Sequence, residues 1–142
     1  ILNNYIKKNC IWSVSSASIS EIEKYNILNA TLIAMKRAII KLKKKPNLVL
    51  IDGNKLPLIK NYNLKYIVKG DQKIPEISAA SIVAKVSRDR LMSKMSKKYT
   101  KYLWNKNSGY GTKDHISAIK KFGITKYHRK TFRPVHNILS PK

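Results

Sequence analysis

The sequence predicts an α/β domain whose sheet is at least partly parallel. Three observations carry that expectation: a long amphipathic stretch at 20–45, two short apolar runs at 48–52 and 65–71, and a second long helical stretch from Pro75. Helix, strand, strand, helix in this order is the pattern of an α/β layer fold. At 142 residues with 43% hydrophobic side chains, the chain is expected to form one domain with a real core.

Along the chain, "CIWSVSSAS" (10–18) places Trp12, Val14 and Ser16 on one side of an extended chain, which predicts a strand. In "SEIEKYNILNATLIAMKRAIIKLKKK", Ser20 and Glu23 have the spacing of a capping box, and Leu28, Leu32, Met35 and Ile39 recur at helical spacing. This predicts one long helix running to the lysines at 43–45, with Pro46 as its stop. "LVLID" is apolar up to Asp52, the pattern of a strand covered on both faces. "KYIVKGD" ends on a second acid, Asp71. Pro75 and Glu76 suit a first helical turn, and the helix they open is built of small residues in its first half. Thr112 and Gly123 bracket a short helix as its cap and stop, and "NSGYGT" precedes it as a loop.

Thirty basic residues face only seven acids, for a formal charge of +23, which points to a polyanionic partner such as nucleic acid. Twenty-five of those bases are lysine. A genome rich in A and T would also scatter lysine over a surface with no partner involved. No apolar run approaches the length of a membrane span. The single Cys10 cannot form an internal disulfide, which fits a reducing, cytoplasmic setting.

If the two strands run in parallel, Asp52 and Asp71 emerge together at their carboxyl ends, where open α/β sheets hold ligands. Paired carboxylates repel unless a cation lies between them, and hard oxygen donors suit Mg²⁺ or Mn²⁺. The alternative is that each acid caps a local turn: Asp52 at Gly53-Asn54, and Asp71 at the approach to the next helix. Asp89 between Arg88 and Arg90 reads as a surface ion pair. His115, His128 and His136 lack metal-ligand spacing and read as ordinary surface or partly buried histidines. Tyr110, between two glycines, either presents its ring to a sugar or base or is a plain loop residue.

Taken together, these stretches resemble bacterial ribonuclease HII, the type 2 ribonuclease H family. The resemblance rests on "NILNATLIAMKRAI", "LIDGNKLP", "IVKGD", "ISAASIVAKVSRDRLM" and "GYGTKDHISAIKKFGITKYHRKTFRPV", in order from about Trp12 to Val135. It implies a ribonuclease H-like mixed sheet flanked by helices. It also implies hydrolysis of the RNA strand of RNA/DNA hybrids and of ribonucleotides embedded in DNA, a DNA-repair activity that needs divalent metal. By the same resemblance Asp52 and Asp71 are the third and fourth of four metal-binding carboxylates. Tyr110 matches the tyrosine at the ribonucleotide site, and Ser81, Lys85 and Arg88 match the helix beside the substrate cleft. Lys85 equally suits packing and hydrogen bonding alone.

The family's first two carboxylates lie in a "GxDExGRG" strand, which does not occur in these 142 residues, nor does its "SKKL" region. The expectation is therefore the C-terminal portion of a catalytic domain, starting after its first strands: inactive or nearly so alone, and monomeric when complete. A basic nucleic-acid-binding module without catalysis is the competing expectation.

Overall fold

The computed structural model describes residues 1–140. Helix α1 (Leu2–Asn9) is followed by α2 (Ile19–Ile40), strands β1 (Val49–Asp52) and β2 (Leu64–Ile67), and a 3-10 turn at Gly70–Gln72. Then come α3 (Pro75–Lys98), α4 (Trp104–Asn107), α5 (Lys113–Phe122) and α6 (Arg133–Leu139). The two strands pair in parallel, with Val49 opposite Leu64 and Asp52 opposite Ile67. Residues 53–63 make the crossover without a helix.

Residues 10–18 do not form the expected strand. The extended chain there is tied to a helix instead: the Ser13 hydroxyl donates to the Ala38 carbonyl, and Arg37 donates to the Ser16 carbonyl at 3.2 Å. A strand needs a neighbouring ladder, and alternation of side chains does not supply one.

Helix α2 begins two residues earlier than expected. Ser18 is its cap: the Ser18 hydroxyl accepts from the Glu21 amide, and the Glu21 carboxylate accepts from the Ser18 amide at 2.8 Å. The helix is also not continuous, because Asn26 has φ 66° and ψ 170°. Arg37 and Glu21 form an ion pair, with Nη1 to Oε2 at 3.1 Å. Along a straight helix these residues would lie about 24 Å apart. Their contact therefore requires the chain to fold back at Asn26, whose side-chain oxygen caps the second half by accepting from the Asn29 amide at 3.0 Å. The Arg37 guanidinium and the Ser18 donors hold the Glu21 carboxyl well below its usual range, down to about 2.

The expectation that β1 is covered on both faces also fails. Ile51 is buried, Val49 and Leu50 are half-buried, and Asp52 is exposed. Among the described residues β1 has one strand neighbour, and α3 packs against it. The principal core lies elsewhere, where Tyr102, Trp104, Ala118, Ile119 and Val135 are buried together. Met92, Met95, Tyr99 and Phe132 pack around them. Tyr102 stacks on Trp104 with ring centroids 5.4 Å apart, which favours a fixed arrangement over a fluid one. Helix α5 forms as expected, with the Thr112 hydroxyl accepting from the His115 amide and Gly123 ending it at φ 75°.

The cap assignment has a direct consequence. Ser18→Ala is expected to lower the free energy of unfolding in urea by about 1 kcal/mol, the usual worth of a helix cap. Ser20→Ala, at the position favoured by sequence spacing, is expected to change it by less than about 0.5 kcal/mol, like other surface substitutions.

Candidate active site

Parallel pairing carries Asp52 and the turn bearing Asp71 to the same edge of the strand pair. They are joined through the backbone: Asp52 Oδ1 accepts from the Gly70 amide at 2.8 Å. Lys69 takes a left-handed conformation, φ 55° and ψ 43°, which turns that amide back toward β1. Gly70 is buried, and a Cβ there would meet Ile77 Cδ1 at 2.6 Å and Asp52 Oδ1 at 3.5 Å. The bare Gly70 backbone lets the end of the Ile77 side chain pack directly over the turn.

Neither carboxylate caps the local turn it was weighed for. Asp52 reaches across to the second strand's exit. Helix α3 starts at Ile74 and Pro75 with no side-chain cap, so Asp71 does not serve it. Among the described residues no hydrogen bond engages the Asp71 carboxylate. Two exposed carboxylates, one with an uncommitted side chain, are hard oxygen donors of the kind Mg²⁺ and Mn²⁺ take. They are two ligands only: among the described residues no three His, Cys, Asp or Glu side chains gather closely enough to hold a metal.

Helix α3 starts beside this edge and runs to the aromatic core. Ser81, Lys85 and Arg88 lie at spacings of four and three, so they share one face of the helix. The Ser81 hydroxyl donates to the Ser78 carbonyl at 2.8 Å, a bond within the helix. Lys85 pairs with Asp89 at 3.5 Å, an exposed pair of little energetic weight. Asp89 thus has an ion-pair partner one turn away, and it is neither of its arginine neighbours.

Arg88 reaches further. Its Nη2 donates to the Ser108 carbonyl at 2.8 Å, and its guanidinium lies 5.9 Å from the centre of the Tyr110 ring. Tyr110 is exposed, but the backbone beneath it is held tightly. Its amide donates to the Asn107 carbonyl at 2.8 Å, and its carbonyl accepts from the Thr112 amide at 2.9 Å. Asn107, itself buried, bridges the loop: its side chain donates to the Tyr102 carbonyl at 2.7 Å and accepts from the Gly109 amide at 2.9 Å. Gly109, at φ 81°, completes the turn.

Residues 2–136 match the family model for ribonuclease HII. Ribonuclease HII of Pelagibacter ubique (strain HTCC1062) is 67% identical over 138 residues, 97% of this chain and 74% of that protein. Ribonuclease HII of Ehrlichia ruminantium (strain Welgevonden) is 53% identical over 129 residues. The chain belongs to the ribonuclease HII family. This chain spans 60% of the length of the Ehrlichia relative, although 89% of its own residues take part in the match. The crystal structure of the ribonuclease H2 from Pyrococcus horikoshii OT3 superposes with a TM-score of 0.67 at 24% identity, over 85% of this chain and 64% of that one. At that identity the likeness speaks for the ribonuclease H-like α/β fold alone.

Within this ribonuclease HII chain the residue types singled out in sequence fall into two groups. Asp52 and the turn bearing Asp71 lie at one strand edge, and Arg88 approaches Tyr110 midway along α3. Ser81 and Lys85 sit on the helix face between, and among the described residues their side-chain partners are within α3.

His115 and His128 depart from the expectation of ordinary histidines: both are buried, with their Nε2 atoms 3.2 Å apart. Trp104 Nε1 donates to His115 Nε2 at 3.1 Å. Residues 104, 115 and 128 lie on three separate segments, so no periodicity within one element announces them. Burial, with His115 nearby, holds the His128 imidazole down to about 4 from its usual 6.5.

That depression fixes a pH dependence. The unfolded chain takes up a proton on His128 near pH 6.5 and the folded chain only near 4, so stability is full above 6.5 and erodes as pH falls toward 4. Melting temperature followed across that window is expected to drop more steeply in the natural sequence than in His128→Gln, which has no such group. The Glu21 carboxylate contributes its own loss lower, between 4.5 and about 2.

Proposed function

We propose that this chain is the C-terminal part of a ribonuclease H-like catalytic domain. The whole domain would be a metal-dependent endonuclease hydrolysing the RNA strand of RNA/DNA hybrids and ribonucleotides embedded in DNA. The observation that carries the reading is that Asp52 and the turn bearing Asp71 lie at one edge of a parallel strand pair, with no hydrogen bond to the Asp71 carboxylate among the described residues. Membership of the ribonuclease HII family supports the reaction class.

In this reading Asp52 and Asp71 are metal ligands, with Mg²⁺ or Mn²⁺ as the ion. Bound divalent metal at a phosphodiester activates water and stabilises the leaving oxygen. The work of this chain's own residues is to hold ligands and substrate. The Gly70 amide fixes one Asp52 oxygen, and among the described residues the other accepts no hydrogen bond. Tyr110 offers its ring and hydroxyl to the sugar of the ribonucleotide, and Arg88 steadies that loop while keeping its charge near the backbone path. Ser81 and Lys85, on the same helix face, lie where a phosphate backbone would pass. The chain's excess of positive charge suits that polyanion.

A second reading, a basic nucleic-acid-binding module without catalysis, has its own support in the two-carboxylate count. It differs from the first in metal requirement. Binding by charge alone weakens steeply with salt and needs no divalent ion.

One experiment separates them. A chimera in which the family's GxDExGRG segment precedes this chain is expected to cleave a DNA duplex carrying one ribonucleotide, on that residue's 5′ side, with Mg²⁺ or Mn²⁺. Asp52→Asn in that chimera is expected to lower cleavage by about a thousandfold, because metal stabilisation is worth several kcal/mol, while the amide oxygen still accepts from Gly70 and folding is kept. The 142-residue chain alone is expected to bind the duplex with little or no cleavage. Full cleavage by the Asn variant would remove Asp52 from the metal site. A chimera that binds and never cuts would favour the second reading.

A further inference from the structure

We propose that His115 and His128 form a neutral imidazole pair whose task is to position Tyr110 for recognition of the ribonucleotide sugar. The proposal rests on the assignment of Tyr110 to that sugar and adds the residues that hold it in place.

Each proton in the pair is dictated by a partner that can only donate or only accept. His115 Nδ1 lies 2.8 Å from the Tyr110 carbonyl oxygen, which can only accept, so Nδ1 carries the hydrogen. His115 Nε2 is then bare, and the Trp104 indole, which can only donate, points at it from 3.1 Å. At the other end, the Thr125 amide donates to His128 Nδ1 at 3.0 Å. That leaves the neutral His128 hydrogen on Nε2, aimed at His115 Nε2 from 3.2 Å. Two donors thus share one acceptor, and that acceptor's ring donates to the tyrosine loop. A hydrogen on His115 Nε2 would set three N–H groups face to face, and one on His128 Nδ1 would face the Thr125 amide, so the arrangement holds only with both rings neutral.

The chain of bonds runs from the buried core to a single exposed residue. Trp104 is 3% exposed, His115 3% and His128 6%, whereas Tyr110 is 65% exposed. Tyr110 has only two side-chain torsions, so fixing its backbone confines its hydroxyl to a few discrete positions. Tyr102 and Trp104 wall the pair in, with Tyr102 at 4.8 Å and Trp104 at 5.2 Å from the His128 ring centre. Packing alone would need rings of this shape. It would not need a hydrogen-bonding order that ends on the tyrosine carbonyl.

Side-chain ¹⁵N shifts of the full chain are expected to show His115 protonated on Nδ1 and His128 on Nε2. Two substitutions then divide positioning from packing. His115→Asn keeps a donor near the Nδ1 position, and His115→Gln keeps an acceptor near the Nε2 position but loses the bond to Tyr110. The Thr112 amide, which donates to the Tyr110 carbonyl, reports on the loop by hydrogen exchange. Its protection is expected to persist in the Asn variant and to fall in the Gln variant. Preference for a duplex with one ribonucleotide over the all-DNA duplex is expected to fall by about fivefold in the Gln variant and in Tyr110→Ala, the equivalent of one neutral hydrogen bond. The Asn variant should keep it.

An Nε2-protonated His115, or equal Thr112 protection in the Asn and Gln variants, overturns the positioning claim. A natural chain that binds both duplexes alike, with Tyr110→Ala unchanged, overturns the sugar-recognition role instead. The nitrogen shifts and the exchange then still decide whether the pair holds the loop.

Discussion

The structure turns on one shared acceptor, the bare nitrogen of His115. Trp104 and His128 both donate to it, and the opposite side of the same ring donates to the Tyr110 carbonyl. A buried polar group left without a partner costs about 1–3 kcal/mol, so three such groups close together must be satisfied by one another. That requirement brings α4, the start of α5 and the loop at 125–128 to a common point. The apolar side chains of Ile119, Val135 and Met92 then pack around a polar centre whose geometry is already set.

Two regions of unequal solidity follow. The aromatic half is packed by rings in defined orientations, whereas the strand pair is thin, with one buried residue in β1 and none in β2. Helix α3 belongs to both: its first turns lie against the Gly70 turn and β1, and its last turns flank the core. Glu23 adds a long-range tie, its carboxylate accepting from the Lys130 amide at 2.8 Å across 107 residues of sequence. The carboxylate edge is therefore steadied mainly by a backbone hydrogen bond and by Gly70's contact with Ile77.

Much of this was legible in local chemistry. Pro75 at the head of α3, Thr112 and Gly123 around α5, and two apolar runs each ending in an aspartate are short-range signals, and the elements form where those signals stand. The misreadings share a cause. Residues 10–18 alternate like a strand yet find no ladder, and the Ser20–Glu23 spacing lost to Ser18–Glu21, whose acid also reaches Arg37. In α2 the expected helix runs unbroken from its cap through Asn26, although the chain folds back there and the periodic residues all follow it. Periodicity reports which face of an element is apolar and is blind to a single residue of unusual φ.

By itself the sequence pointed to the α/β class and the family, because each rests on residue order over short spans; the common exit of Asp52 and the turn bearing Asp71 hung on parallel pairing, which the fold supplied. Only the tertiary structure decided that Asp52 is bonded to the turn bearing Asp71, that Arg88 faces Tyr110, and that two histidines thirteen residues apart meet through their Nε2 atoms. Those are matters of which donor meets which acceptor once water has been excluded. Burial sets that pairing, and burial is a property of the folded chain as a whole.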